Sequence, residues 1–151
     1  FCDRTLEAYG KHFTFGDVVR ASRLALDEGV YYAHFLILGG YGDTRENVRE
    51  TIENSRRMEY TVMFPYAGMR IYPHTRLAEL AAKEGAIGRD DDLMAPSYYI
   101  SRDFDLEEVR RAALATGKAW VFPDDPQSAL ADTLRLKRNK KGPLWEYLRK
   151  P

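Results

Sequence analysis

Between Thr14 and Glu28 the apolar side chains fall at Phe15, Val18, Val19, Ala25 and Leu26. That three- and four-residue spacing predicts an amphipathic helix, with Gly29 as its C-terminal stop. The next run, VYYAHFLIL from Val30 to Leu38, is β-branched, aromatic and aliphatic and does not alternate. It predicts a central strand covered on both faces, as in a parallel sheet. Glycines at 39, 40 and 42 then lead into a polar segment, GGYGDTRENVRE. Asp43 is placed to cap a second helix, with Glu46 three residues on as its capping-box partner. Up to about Met58 this helix carries only a thin apolar stripe, Val48 and Ile52, and belongs on the outside. YTVMFPYAGMRIYP predicts a second strand region, Thr61–Tyr72, bent or bulged at Pro65 and Ala67–Gly68. Thr75 opens a third helix through Leu77, Leu80 and Ala81, closed by Gly85.

Helix, strand, helix, strand, helix, with about thirty residues between strand starts, is the βαβ order of parallel α/β folds. The chain then changes character: an acidic loop GRDDDLM, a short aromatic run SYYIS, and a helix from Asp105 to about Thr116 with Glu108 at capping-box spacing. AWVFP, a helix from Pro126, the basic stretch RLKRNKKG and a last amphipathic turn PLWEYLRK follow. The boundary falls near residues 86–97. The expected organisation is therefore an α/β unit over 1–88 and a mainly helical C-terminal extension over 89–151.

Composition narrows the functional classes. Lysine plus arginine and aspartate plus glutamate both number 23, so no global field draws the chain to nucleic acid or to an anionic membrane. The single cysteine, Cys2, makes neither an internal disulfide nor a cysteine-based zinc site and fits a reducing, cytoplasmic compartment. No apolar run reaches the ~20 residues of a membrane span. FCDRTLEAYGKH has no signal-peptide architecture and no initiator Met, and reads as a start in mid-chain.

The glycine turn is the candidate site, because ligands of parallel α/β sheets sit where strands end and loops turn into helices. Glycines let a backbone approach closely, and the helix that follows presents free N–H groups. A P-loop is excluded, since no lysine lies between Lys11 and Lys83. The dinucleotide fingerprint is met at Gly40 and Gly42 but has Arg45 in its third place. The glycines can also serve only a tight turn, and Asp43 only a helix cap. His12, His34 and His74 lack the spacing of a metal pair.

Three motifs in order carry a resemblance. YAHFLILGGYGDTRENVRETIE, then MFPYAGMRIYPHTRLAELAAKEG, preceded by TLEAYGKHFTFGDVVRASRLALDEGV, resemble the second half of the radical S-adenosylmethionine enzyme barrel over about residues 3–125. The closer likeness is to the branch that often carries an N-terminal cobalamin-binding domain. In that family a glycine-rich Gly-x-x-Gly-Glu-Thr-like turn ends one strand and a segment like RIYPGTPLAE ends the next. Here Gly39, Gly40, Gly42, Asp43 and Thr44 stand at the first, with Asp for the usual Glu. Arg70, Ile71, Tyr72, Pro73 and Thr75 stand at the second, with His74 where Gly is common.

The resemblance implies a partial (β/α) barrel with parallel strands and outer helices. It also implies S-adenosylmethionine and a 4Fe-4S cluster as cofactors of the parent protein, with cobalamin a further option. The implied cofactor contacts are Gly39, Gly40, Gly42 and Asp43 at one strand end, and Met69, Arg70 and Tyr72 at the next. Arg70 is equally suited to a substrate carboxylate or phosphate, or to an acidic neighbour. The family's Cys-x-x-x-Cys-x-x-Cys loop is missing, and Cys2 alone cannot hold a cluster. This chain is therefore expected to be inactive alone, to bind no cofactor by itself, to partner the remainder of its parent chain, and to self-associate through strands left without neighbours. The substrate, a small molecule, is not specified. The competing expectation is a non-catalytic module whose basic stretch Arg135–Lys141, with Trp145 and Tyr147 behind it, docks on nucleic acid or an acidic protein.

Overall fold

A computed structural model describes residues 1–88, 90–123, 143–149 and 151 of the 151-residue chain. Its elements in order are α1 (Asp3–Ala8), α2 (Phe15–Asp27), β1 (His34–Leu38), α3 (Arg45–Asn54), β2 (Val62–Ala67), β3 (Met69–Ile71), α4 (Arg76–Lys83), β4 (Ser97–Tyr99), α5 (Leu106–Ala115) and β5 (Ala119–Trp120). Short 3-10 turns lie at Ser55–Arg57 and Leu144–Leu148. The helix expected from Pro126 and the basic stretch Arg135–Lys141 lie outside the described residues.

The fold is mixed α/β. β1, β2 and β5 form a three-stranded parallel sheet in the order β1-β2-β5, with Phe35 beside Phe64 and Val62 beside Ala119. The expected long second strand is two strands. Gly68, at φ +75°, turns the chain out of β2 into β3, which pairs antiparallel with β4 (Arg70 beside Tyr98) in a separate ribbon. Pro65 sits inside β2 without breaking the ladder. The Gly68 N–H goes to Leu38 and the Val121 N–H to the Met63 carbonyl. By strand alternation Pro65 then faces the β5 side, where the two-residue β5 offers it no partner.

One face of the sheet is covered. Leu36, Leu38, Met63 and Trp120 pack under Phe15 and Val19 of α2, Val48 and Ile52 of α3, and Val109 and Ala113 of α5. The expectation that both faces of β1 are covered is corrected among the described residues. On the other face Phe35 is 69% exposed and Ile37 and Tyr66 are about two-fifths exposed (42% and 41%). The unbroken apolar run misled because half of it addresses a face on which no α-helix lies among the described residues. At the lower end of that face Val62 is fully buried, and the Leu144–Leu148 turn packs near β2 with Arg149 over the Tyr31 ring. A second core joins the ribbon to α4 through Ile71, Tyr99 and Ala81.

The helix ends follow local chemistry. Thr14 and Asp17 form a reciprocal capping box on α2, and Thr75 and Asp105 cap α4 and α5. The expected cap of α3 is corrected: Thr44, not Asp43, accepts the Asn47 N–H, and Glu46 is no capping-box partner. Asp43 is drawn inward by better donors.

Candidate functional site

The glycine turn leaves β1 at the C-terminal rim of the parallel strands and is held on every side by the chain itself. Gly39 has φ +73° and Gly42 φ +82°, where a Cβ is disfavoured. A Cβ on Gly39 would lie 2.4 Å from the Phe104 ring, and one on Gly40 would lie 2.3 Å from the Tyr9 hydroxyl and 2.6 Å from Met69 Cγ. Side chains of this chain therefore occupy the space that these two glycines open. The Gly39 carbonyl accepts from the Ser101 N–H at 2.8 Å. Tyr41 carries the turn into the second core, its ring 5.5 Å from that of Tyr99 in an edge arrangement.

Asp43 is the polar centre of the turn. It is buried, and its carboxylate accepts from Thr5 Oγ1 at 2.7 Å, Tyr9 Oη at 2.9 Å and the Gly39 N–H at 2.9 Å. These three donors satisfy a carboxylate that would otherwise be costly to bury. Burial, reinforced by the Asp43 charge, pushes the Tyr9 phenol well above its ordinary range, so Tyr9 stays a proton donor to Asp43. Asp43 thus ties α1 to the turn.

The expected site residues divide into two groups. Gly39, Gly40, Asp43 and Met69 come together, with Met69 lying against Gly40 across the gap between the two strand ends. Gly42 closes the same loop, and a Cβ there would meet only Ala8 at 3.6 Å. Arg70 and Tyr72 lie on the opposite face of the β3–β4 ribbon. Both are exposed, with Arg70 Cζ 4.8 Å above the Tyr72 ring, while Ile71 between them is buried. Thr5, Tyr9, Ser101 and Phe104 complete the turn but carry no local signal in the sequence. They reach it from 31 or more residues away, and a tyrosine at the end of a short N-terminal helix looks like any other.

What remains free to meet a ligand is apolar and planar. It comprises half-buried Met69 at the rim and, below it, the exposed side chains of Phe35, Ile37 and Tyr66, with Phe35 stacked on Phe64 at 5.2 Å. The rim does not fit an iron–sulfur cluster: the single cysteine, Cys2, is fully buried at the N-cap of α1, and no cluster of metal-ligating side chains occurs among the described residues. His34 is neutral, its pKa lowered to about 4 by burial and then by the nearby Phe1 ammonium, and its Nε2 has no hydrogen-bond partner among the described residues. No helix among those residues is long and apolar enough to cross a membrane. No protein-family model, curated protein or solved structure matches the chain.

Proposed function

We propose that this chain is the C-terminal portion of a radical S-adenosylmethionine enzyme of the cytoplasm. In this reading, residues 1–88 are βα units of a (β/α) barrel, 89–151 are a mainly helical extension, and the remainder of the parent chain is the partner that brings the cysteine loop. The cluster and S-adenosylmethionine supply the 5′-deoxyadenosyl radical in that family, and the branch it most resembles often carries an N-terminal cobalamin-binding domain. This chain's part is to provide the adenosine side of the cofactor site.

The observation that carries the reading is the meeting of the glycine turn and Met69 at one rim of a parallel sheet whose described α-helices lie on one face. A barrel keeps its helices outside and turns the other face of each strand inward. The exposed Phe35, Ile37 and Tyr66 suit that inward position, and an apolar rim suits a purine held by van der Waals and backbone contacts. Asp43 and Tyr9 act behind the surface, fixing the turn so that Met69 keeps its place.

The test is amide chemical-shift mapping of the 151-residue chain with millimolar S-adenosylmethionine and, separately, 5′-deoxyadenosine. The expected result is weak binding or none, with any shifts confined to residues 39–42, 68–70 and the neighbouring β1 and β2 amides. Shifts confined to other surfaces contradict the reading.

A further inference from the structure

β2 and β3 keep one alternation across the bend between them. Pro65, Ala67, Met69 and Ile71 are buried or half-buried, while Tyr66, Arg70 and Tyr72 are exposed on the other side. Gly68 falls in the exposed row, and Ile100 fills the place it leaves, since a Cβ on Gly68 would lie 2.7 Å from Ile100 Cγ1. The open face of the sheet therefore runs on into the exposed face of the β3–β4 ribbon.

Arg70 stands on that face without a counter-charge. Its neighbours there are Gly68 and Tyr72 along its own chain, Tyr98 directly across, and Pro96 and Ile100 on the diagonals of the register. None of them is acidic. Arg4, Arg45, Arg49 and Arg56 each hold a glutamate, whereas Arg70 has no ion pair among the described residues. Its guanidinium lies instead 4.8 Å over the Tyr72 ring, a cation–π contact that restrains the side chain and leaves N–H donors for an acceptor. Tyr72, Tyr98 and Ile100 are each about half exposed. The support behind them is fixed, because Ile71 and Tyr99 are buried against α4 and the Tyr99 hydroxyl donates to Glu84 at 2.8 Å.

We propose that this face binds an aromatic oxyanion, a planar ring carrying a carboxylate or a phosphate. The anionic oxygens accept from the Arg70 guanidinium, whose fork suits two oxygens of one group. The ring lies on Tyr98 and Ile100. Charge selects the anion, and the uncharged neighbours select its body, since whatever adjoins the anion meets an aromatic ring and an aliphatic side chain. Assigning this molecule as the substrate of the radical reaction rests on the function proposed above, in which the row turns inward and Met69, next to Arg70, keeps the adenosine. Arg70 and Tyr72 then serve the substrate rather than the cofactor.

Amide chemical-shift mapping of the 151-residue chain with benzoate and, separately, phenyl phosphate tests the site and tells the two oxyanions apart. At least one of them should shift Arg70, Tyr72, Tyr98 and Ile100 with a dissociation constant on the order of millimolar, the range for a small ligand on an open face. Benzyl alcohol, which has the ring without the charge, and inorganic phosphate, which has the charge without the ring, should both bind more weakly. Arg70→Gln, at an exposed position, should weaken the aryl anion at least about 3-fold, and Arg70→Lys should recover only part of that loss. Arg23→Gln, on α2, should change nothing. Ribbon amides that ignore both aryl anions, binding indifferent to Arg70→Gln, or inorganic phosphate binding as well as phenyl phosphate overturns the proposal. Ribbon shifts that follow protein concentration with no ligand added would give the face to a second copy and overturn it as well. The titrations contain no S-adenosylmethionine, so their failure leaves the cofactor reading intact. Failure of that reading would leave an anion bound at Arg70 and remove only its role as substrate.

Discussion

Asp43 is a buried acceptor with three donors, and its replacement should be felt through the groups it leaves behind. Asp43→Ala should cost about 2–4 kcal/mol in urea unfolding, because Thr5 Oγ1, Tyr9 Oη and the Gly39 N–H lose a partner in a site with little water. Asp43→Asn, which keeps an accepting oxygen, should cost less. A loss below about 0.5 kcal/mol for Asp43→Ala would show that the network carries no stability. Gly39 and Gly117 provide a matched comparison. Both have positive φ, +73° and +75°, but a Cβ on Gly117 meets no described atom within 4 Å while one on Gly39 enters the Phe104 ring. Gly117→Ala should cost about 1 kcal/mol from backbone strain, and Gly39→Ala about 2–4 kcal/mol from strain plus overpacking. Equal losses would mean that close packing at the turn is unimportant.

His34 is the residue whose titration should be visible in stability. Its folded pKa of about 4 lies below the ordinary 6.5, so between these values the unfolded chain binds a proton that the folded chain refuses. Stability is unaffected above pH 6.5 and falls as the pH drops towards 4. His34→Phe should flatten that part of the pH–stability curve, which chemical denaturation at pH 4.5, 5.5 and 7 would reveal. An unchanged slope in the variant would place the proton uptake elsewhere.

At the scale of elements, α3 and α5 are joined by packing and by a charged clamp. Val48 and Ile52 face Val109 and Ala113, and at the surface Arg45 and Arg49 both grip Glu108, the latter at 2.6 Å. Hydrogen bonds from Arg45 and then Arg49 hold the Glu108 carboxyl down at about 2. A carboxylate with a depressed folded pKa contributes fully above its unfolded value near 4.5 and loses that contribution as pH falls towards 2. Glu108→Gln should therefore remove part of the acid sensitivity below pH 4.5. The clamp is partly exposed, so 0.5 M salt should reduce the difference between the two proteins. Glu108 also shows why spacing alone misleads. It stands at capping-box distance from Asp105, yet Asp105 caps α5 by itself and Glu108 turns to the neighbouring helix.

The sequence made the elements legible where periodicity and caps agreed, as in α2 with Thr14 and Gly29, and α4 with Thr75 and Gly85. It located the glycine turn and the parallel pairing of the strands around it. It could not say which strand face would be open, because covering is decided by the packing of α2, α3 and α5 together. Nor could it show that Asp43 faces inward, since a capping aspartate and a buried one precede a helix in the same way. Tyr9 and Phe104 fill the turn from positions 31 and 65 residues away in the chain, contacts no local pattern encodes.

At the scale of the whole molecule, the described α-helices cover one face of the sheet, and Phe35, Ile37 and Tyr66 on the other face are exposed among the described residues. An open face bearing Phe35, Ile37 and Tyr66 and an edge free of proline and charge are costly features for a chain that works alone, and ordinary ones for a chain that works inside a larger assembly. That is why the function proposed for it is a share in a site completed by other segments. The most direct measurement is made on the product of the whole reading frame that contains these 151 residues, purified without oxygen and supplied with iron, sulfide and a reductant. The expected result is a three-cysteine loop ahead of this chain, cluster absorbance, and cleavage of S-adenosylmethionine to 5′-deoxyadenosine that Gly40→Val suppresses. A full-length product with no such loop and no cleavage would contradict the assignment.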